Sequence, residues 1–183
     1  MREVTVVIPN WNGKQYLKTC LQSLYEHTEF ELDIIVVDNG STDGSIEDAK
    51  EYYPNVKYIL LDKNYGFSKA VNEGIKNSKT PYVLLLNNDT KIKKGFVQSL
   101  LQTIKSDMKI FSVEAKMLQY HHPERIDSAG TFYNALGWAY ARGNGKASSK
   151  YNESCETFAA CAGAALYRKQ MLEEIGSFDE KFF

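Results

Sequence analysis

Val83-Leu84-Leu85-Leu86-Asn87-Asn88-Asp89-Thr90 passes from four aliphatic side chains directly into the carbonyl- and carboxylate-bearing triplet Asn87-Asn88-Asp89. An unbroken apolar run of this length fits a strand buried on both faces, as in a parallel sheet. A polar cluster at the C-terminal end of such a strand lies on the rim where open α/β sheets bind ligands. Asp89 supplies a carboxylate, and Asn87 and Asn88 supply amide oxygens. These are hard donors of the kind that hold Mg²⁺ or Mn²⁺ together with water and phosphate oxygens. Taken alone, the same triplet also reads as a plain Asx turn.

The stretches on either side repeat the pattern. Val4-Thr5-Val6-Val7-Ile8 is β-branched and is expected to stop at Pro9, with Asn10-Trp11-Asn12-Gly13 as the following loop. Leu17, Cys20, Leu21 and Leu24 recur at helical spacing and predict a helix over 14–27. Ile34-Ile35-Val36-Val37 forms a second apolar run ending in Asp38-Asn39-Gly40-Ser41-Thr42-Asp43-Gly44-Ser45. Asp43 or Ser45 is the expected N-cap of a helix reaching Tyr52. A third strand over 56–61 leads to Asp62-Lys63-Asn64-Tyr65-Gly66, and Phe67, Ala70, Val71 and Ile75 mark a third helix. Strands alternating with helices of this length predict a parallel sheet with right-handed crossovers. All four strand-ending loops then open onto one edge.

Beyond residue 110 the rhythm changes. A strand is expected near 110–113, an irregular stretch over 120–152 with short antiparallel strands near 131–140, and a strand within 158–167. A short helix follows over 169–175, with Gly176 at its C-cap.

Composition excludes several classes. The 183 residues suit one domain, and 43% apolar with 25% charged side chains are ordinary for a globular protein. A formal net charge of -1 gives no basic surplus for nucleic acid. Cys20, Cys155 and Cys161 lack metal-ligand spacing and read as buried thiols of a reducing compartment. No apolar run is long enough to cross a bilayer and Met1-Arg2-Glu3 does not open a signal peptide, so the expected location is cytoplasmic. Peripheral membrane contact and a homodimer stay open.

The four loops carry groups suited to a nucleotide diphosphate. Asp38 offers an acceptor to a base N–H, Trp11 a wall or stacking surface, Lys63 a phosphate contact and Asp89 a cation ligand. No Gly-x-Gly-x-x-Gly and no Walker-type loop is present, so a phosphate cradle made mainly of backbone is not expected. Structural readings stand beside these. Asp38 also serves as a helix cap, Trp11 as a core aromatic, Lys63 as a surface lysine and His121-His122 as a solvated pair.

The ordered set Val7-Ile8-Pro9-Asn10-Trp11-Asn12-Gly13, Ile35 to Ser45, Asn64-Tyr65-Gly66-Phe67, Asn72-Glu73-Gly74-Ile75, Leu85 to Thr90, Gly163-Ala164-Ala165 and Gly176 to Phe183 resembles family 2 glycosyltransferases, of the kind grouped with rhamnosyltransferases. The resemblance implies the GT-A fold, a Rossmann-like, mostly parallel α/β sheet with flanking helices and a less regular C-terminal part. Residues 1–110 are then the nucleotide-sugar-binding half and 111–183 the acceptor side of the same domain. It implies an inverting hexosyltransferase acting in cell-envelope polysaccharide synthesis at the inner face of the plasma membrane. The donor is a dTDP- or UDP-linked sugar and the acceptor a saccharide or a lipid-linked saccharide. By motif, Pro9, Asn10, Trp11, Asp38, Asn39, Lys63, Asn64, Gly66, Asn88 and Asp89 are the expected nucleotide-sugar residues, with Asp89 the ligand of Mg²⁺ or Mn²⁺. The family's Asp-x-Asp pair is here Asn87-x-Asp89, which removes one carboxylate.

The family's catalytic base lies in an acidic pair after the Phe-Asp-Glu-x-Phe-Phe motif. That motif ends here at Phe183, so the resemblance implies a chain cut short at its C-terminus with the base beyond Phe183. Asp179 and Glu180 are the nearest acids; either is a candidate to stand in for that base, but the pair is expected rather to order the acceptor side. A sugar nucleotidyltransferase and a non-catalytic nucleotide-sugar-binding domain are the alternatives. A response-regulator receiver wants an acidic pair after the first strand, and Asn10-Trp11-Asn12 supplies none.

Overall fold

The computed structural model describes residues 2–182. Phe183, the expected end of the aromatic motif, lies outside the described residues. In chain order the elements are β1 (Val4–Asn10), α1 (Leu17–His27), β2 (Asp33–Asp38), α2 (Ser45–Tyr52), β3 (Lys57–Leu60), α3 (Phe67–Asn77), β4 (Tyr82–Leu86) and α4 (Phe96–Ser106). There follow β5 (Ser112–Glu114), β6 (Met117–Leu118), β7 (Ile126–Ser128), β8 (Thr131–Tyr133), β9 (Ala139–Ala141), a 3-10 turn (Ser148–Lys150), β10 (Ala164–Arg168) and α5 (Lys169–Ile175).

The main sheet has the order β3-β2-β1-β4-β10-β5. Its first four strands are mutually parallel, and β10 lies antiparallel between β4 and β5. Alternation sorts the continuous apolar runs onto two faces. Val6, Ile8, Val36, Leu84 and Leu86 pack against α1, α2 and α4, whereas Val7, Ile35, Val37, Val83 and Leu85 meet α3. Every residue of β4 is buried, as a central strand covered on both sides requires. The early chain therefore supplies most of the sheet, but the late chain completes it.

Arg168 fixes the junction between the two portions. It is buried, donating through Nη2 to Ile104 O at 2.7 Å and through Nε to Ile110 O at 3.2 Å. A guanidinium over the last carbonyls of α4 satisfies acceptors that the helix leaves open and complements its dipole. The remaining late strands form two separate pairs, β6-β7 and β8-β9, and the second accounts for the strands expected near 131–140.

Four expectations need correction. β1 runs through Pro9 to Asn10, where its register with β2 continues as Pro9↔Val37 and Asn10↔Asp38. The ladder from β1 to β4 has ended by Val7↔Leu85, so Pro9 sits on what is locally an edge, where a missing N–H is tolerated. The N-cap of α2 is neither Asp43 nor Ser45 but Gly44, at φ +77°. The late strand begins only at Ala164, and 158–163 leads to it without joining the main sheet. Finally, Cys20 alone is buried among the three free thiols, while Cys155 and Cys161 are exposed on the late segment.

Two measurements follow from this packing. Burial pushes the Cys20 thiol up to about 12, so it is protonated and shielded at mildly alkaline pH. A disulfide reagent should therefore titrate Cys155 and Cys161 in the folded chain and gain Cys20 only on denaturation, whereas immediate reaction of all three would contradict the packing. Gly74 faces Val7, and a β-carbon there would stand 2.2 Å from Val7 Cγ1. Helix propensity favours Gly74→Ala by about 1 kcal/mol, but overpacking costs ~1–3 kcal/mol. A net loss of stability is expected, read as a lower urea midpoint.

Candidate functional site

Parallel pairing brings the C-terminal ends of β1, β2, β3 and β4 to one rim, where buried carboxamides bind the loops together. Asn10 is 1% exposed. Its Nδ2 has Asp38 Oδ1 and Ser45 Oγ at 3.0 Å and Ser41 Oγ at 3.1 Å. Its Oδ1 accepts from Asn88 Nδ2 at 2.8 Å, which ties the β1 end to the β4 end. Asp38 is also buried, and its carboxylate accepts from the Ser41 hydroxyl and, at 3.0 Å, from the Ser41 N–H. A buried amide and carboxylate are expensive unless they are paired in this way.

A second knot joins the β2 and β3 loops. Asn39 Nδ2 donates to Asn64 Oδ1 at 2.9 Å and to Gly66 O at 3.0 Å, while Asn39 Oδ1 accepts from Tyr65 N at 2.9 Å. Gly40 has φ +75°, and a β-carbon there would lie 2.6 Å from Lys63 Cα, so only glycine lets the two backbones meet. Asn12 and Asp43 act similarly on the first loop. Asn12 Oδ1 accepts from Thr42 N at 2.9 Å, and the Asp43 carboxylate accepts from Lys14 N at 2.9 Å and Ser45 N at 3.0 Å.

The residues expected from sequence thus fall into two sets. Asn10, Asp38, Asn39 and Gly66 are buried, and Pro9, Asn64 and Asn88 are half-buried among them. Trp11 (56% exposed), Lys63 and Asp89 point outward from the same rim. That exposure excludes the core-aromatic reading of Trp11. Lys63 Nζ stands 5.0 Å from the Tyr65 ring centroid and so hangs over the rim. Ser41, Ser45 and Gly13 were not among the expected site residues. The i, i+4 spacing of the two serines after Asp38 is the one sequence signal that marks them.

Asp89 borders an open cavity of about 920 Å³ that is also lined by Thr90, Lys91, Lys116, Tyr120 and Asp127. A hollow of about 850 Å³ opens at the opposite ends of the strands, where Arg2 is neutralised by Glu31 and Asp33. It lies away from the converging loops. Among the described residues, no three His, Cys, Asp or Glu side chains cluster as a metal cage. One exposed carboxylate flanked by amides still fits Mg²⁺ or Mn²⁺ where phosphate oxygens and water supply most of the shell.

Three further expected residues have other settings. His121 and His122 are exposed, as a solvated pair would be. Glu180 accepts from Asn72 Nδ2 at 3.0 Å and pairs with Lys69 at 3.3 Å. The Asn72 amide first, then the Lys69 ammonium, holds its carboxyl below the usual range, which makes it a weaker proton acceptor. Asn72 also brackets Phe178, accepting from its N–H and donating to its carbonyl, so the segment holding Asp179 and Glu180 is anchored to α3.

The Glycosyl transferase family 2 description matches residues 5–176. Glycosyltransferase GlyA of Streptococcus pneumoniae is 33% identical over 141 residues, 75% of this chain and 19% of that protein. The teichoic acid poly(glycerol phosphate) polymerase of Staphylococcus epidermidis is 31% identical over 96 residues, 50% of this chain and 13% of the polymerase. Among solved structures, S. aureus TarS 1-349 in complex with UDP superposes with a TM-score of 0.71 at 21% identity, covering 98% of this chain and 51% of that one. The mannosyltransferase PcManGT of Pyrobaculum calidifontis, in complex with GDP-Man and Mn2+, gives 0.68 at 17% identity, covering 98% and 48%. The fold is the α/β arrangement of GT-A glycosyltransferases. The chain spans about half the length of these solved relatives and about a fifth or less of the two curated ones.

The knot at Asn10 is testable by itself. A β-carbon on Gly13 would lie 2.2 Å from Asn88 Nδ2 and 2.3 Å from Asn10 Oδ1, driving that pair apart. Gly13→Ala and Asn10→Ala are each expected to cost ~1–3 kcal/mol, through overpacking in the first and unpaired buried groups in the second. Unchanged urea midpoints in both variants would show that the rim does not depend on this contact.

Proposed function

From the premise that the chain belongs to glycosyl transferase family 2, we propose that it transfers a sugar, with inversion, from a nucleotide-diphosphate donor to a saccharide or lipid-linked acceptor in envelope polysaccharide synthesis. The observation that carries this reading is the rim itself. Four polar loops are locked together by buried carboxamides, and they leave Trp11, Lys63 and Asp89 outward on the ligand-binding edge of the sheet. Support for the substrate class comes from the complexes of TarS with UDP and UDP-GlcNAc and of PcManGT with GDP-Man. Support for the setting comes from the names of relatives such as the teichoic acid polymerase. A UDP- or dTDP-linked donor is the proposed form, with a rhamnosyl group among the sugars to be tried.

In this reading residues 1–110 bind the donor and 111–183 form the acceptor side, working in the cytoplasm. Pro9, Asn10, Asp38 and Asn39 shape the base and ribose pocket, which Trp11 walls. Lys63, with the loop through Asn64 and Gly66, approaches the phosphates, and Asn88 and Asp89 hold the ribose and the cation. When bound through Asp89, Mg²⁺ or Mn²⁺ screens the charge that builds on the departing diphosphate. The acceptor hydroxyl oxygen attacks the anomeric carbon as the bond from that carbon to the phosphate oxygen breaks. Its proton passes to a carboxylate base. Glu180, held low and tied to α3, fits a structural role better than that of base.

Calorimetry with UDP, dTDP and GDP, with and without Mn²⁺, tests the reading on the chain and on Asp89→Ala. One nucleotide should bind in a metal-dependent way, with affinity falling at least about tenfold in the variant. Failure of a folded chain to bind any of the three would overturn it.

A further inference from the structure

Asp89 is exposed, and among the described residues its carboxylate has neither a hydrogen bond nor an ion pair of its own. Its direction is therefore set by the backbone that carries it. Asn88 and Asp89 are the central residues of a tight turn, closed by Thr90 N donating to Asn87 O at 3.3 Å. That bond is long for an amide and a carbonyl. Two side chains reinforce it. The Thr90 hydroxyl donates to the same carbonyl at 2.7 Å, and the Cys20 thiol donates to it from α1 at 3.6 Å.

A second grip lies at the far end of the loop. Ser23 Oγ accepts from Ile92 N at 3.1 Å and donates to Cys20 O at 2.8 Å, three residues back on α1. Cys20 and Ser23 share one face of that helix, and both are buried. Ile92 is buried too, so its N–H needs the partner that Ser23 supplies. Helix α1 thus holds the segment 87–92 at both ends, at Asn87 O through Cys20 and at Ile92 N through Ser23.

We infer that Thr90 and Ser23 are positioning residues for the cation ligand Asp89. Neither is itself a ligand, and each fixes the turn that presents the carboxylate. Cys20 completes the grip as a weaker donor. A site with one protein carboxylate has no second such ligand to correct the aim of the first. If the turn were loose, ordering it would oppose metal binding, and groups behind a ligand commonly set affinity for this reason. The inference rests on the reading of Asp89 as the ligand of Mg²⁺ or Mn²⁺. A merely structural role would show in stability alone, whereas a positioning role shows in metal affinity and acts through Asp89.

Mn²⁺ titrated alone into the chain, read by paramagnetic broadening of amide signals, tests this without nucleotide. Broadening in the wild type should centre on residues 87–90. Thr90→Val keeps the side-chain shape but removes the hydroxyl, and it should raise the Mn²⁺ midpoint about tenfold. Thr90→Ser should restore the wild-type midpoint, and Ser23→Ala should raise it. In Asp89→Ala the ion should no longer gather there, and adding Thr90→Val should change nothing further. Circular dichroism checks that each variant is folded. Wild-type broadening that spares residues 87–90 would overturn the inference. So would an unchanged midpoint in folded Thr90→Val or Ser23→Ala, or a loss in Thr90→Ser equal to that in Thr90→Val. Binding of UDP, dTDP and GDP is scored separately. If none binds while the Mn²⁺ pattern holds, the transferase reading fails and the positioning of Asp89 stands.

Discussion

Asn10 sits where a polar side chain has no access to water, and the rim is built on satisfying it. A buried carboxamide left unpaired costs a substantial part of a domain's net stability, ~1–3 kcal/mol. Asp38, Ser41 and Ser45 surround its Nδ2, and Asn88 donates to its Oδ1. Those partners come from the end of β2, the loop after it, the start of α2 and the loop after β4, so satisfying one side chain fixes three strand ends relative to one another. Gly13 belongs to the same constraint, because any β-carbon there would occupy the space in which Asn10 and Asn88 meet.

The constraint works only because the sheet beneath is rigid. Val7, Val36, Leu84 and Leu85 are fully buried, with helices on both faces, and their packing sets the strand ends before any loop chemistry applies. β10 extends this frame on the far side of β4. Gly163, just before it, accepts through its carbonyl from Asn87 N at 2.9 Å. The polar triplet after β4 is thus held from both sides, by Asn10 through Asn88 and by Gly163 through Asn87.

Much of this was legible in the sequence because the signals are local. Apolar runs that end in Asp, Asn, Ser and Gly define the four early strands and their loops, and crossover rules orient them. What was not legible depends on distant partners. Nothing local says that β10 inserts antiparallel between β4 and β5, or that Arg168 is buried at the end of α4. The strand-stopping expectation at Pro9 failed because it takes tertiary pairing to show which side of a strand needs its donor. Cys155 and Cys161 were misjudged for a related reason, since their burial depended on an irregular segment with no period to read. In the candidate site, residue types pointed to one rim, on which the loops do converge, but could not separate side chains that bind loops together from those left facing solvent.

That division has a chemical logic. A diphosphate leaving group is stabilised best by groups that need not reorganise as charge develops. Carboxamides engaged with one another across loops are good scaffolding, because their orientations are fixed before anything binds. Asn87, which stands where the resemblance implies the first acid of an Asp-x-Asp pair, follows the same line. Its backbone N–H is bound to Gly163 O, and its carbonyl accepts from the Thr90 hydroxyl at 2.7 Å. Asn87 therefore shapes the turn through its backbone and leaves Asp89 as the sole carboxylate of the Asn87-Asn88-Asp89 triplet. In the proposed reading, a cation at Asp89 would draw the rest of its shell from water and phosphate, which would make metal affinity and donor affinity two sides of one equilibrium.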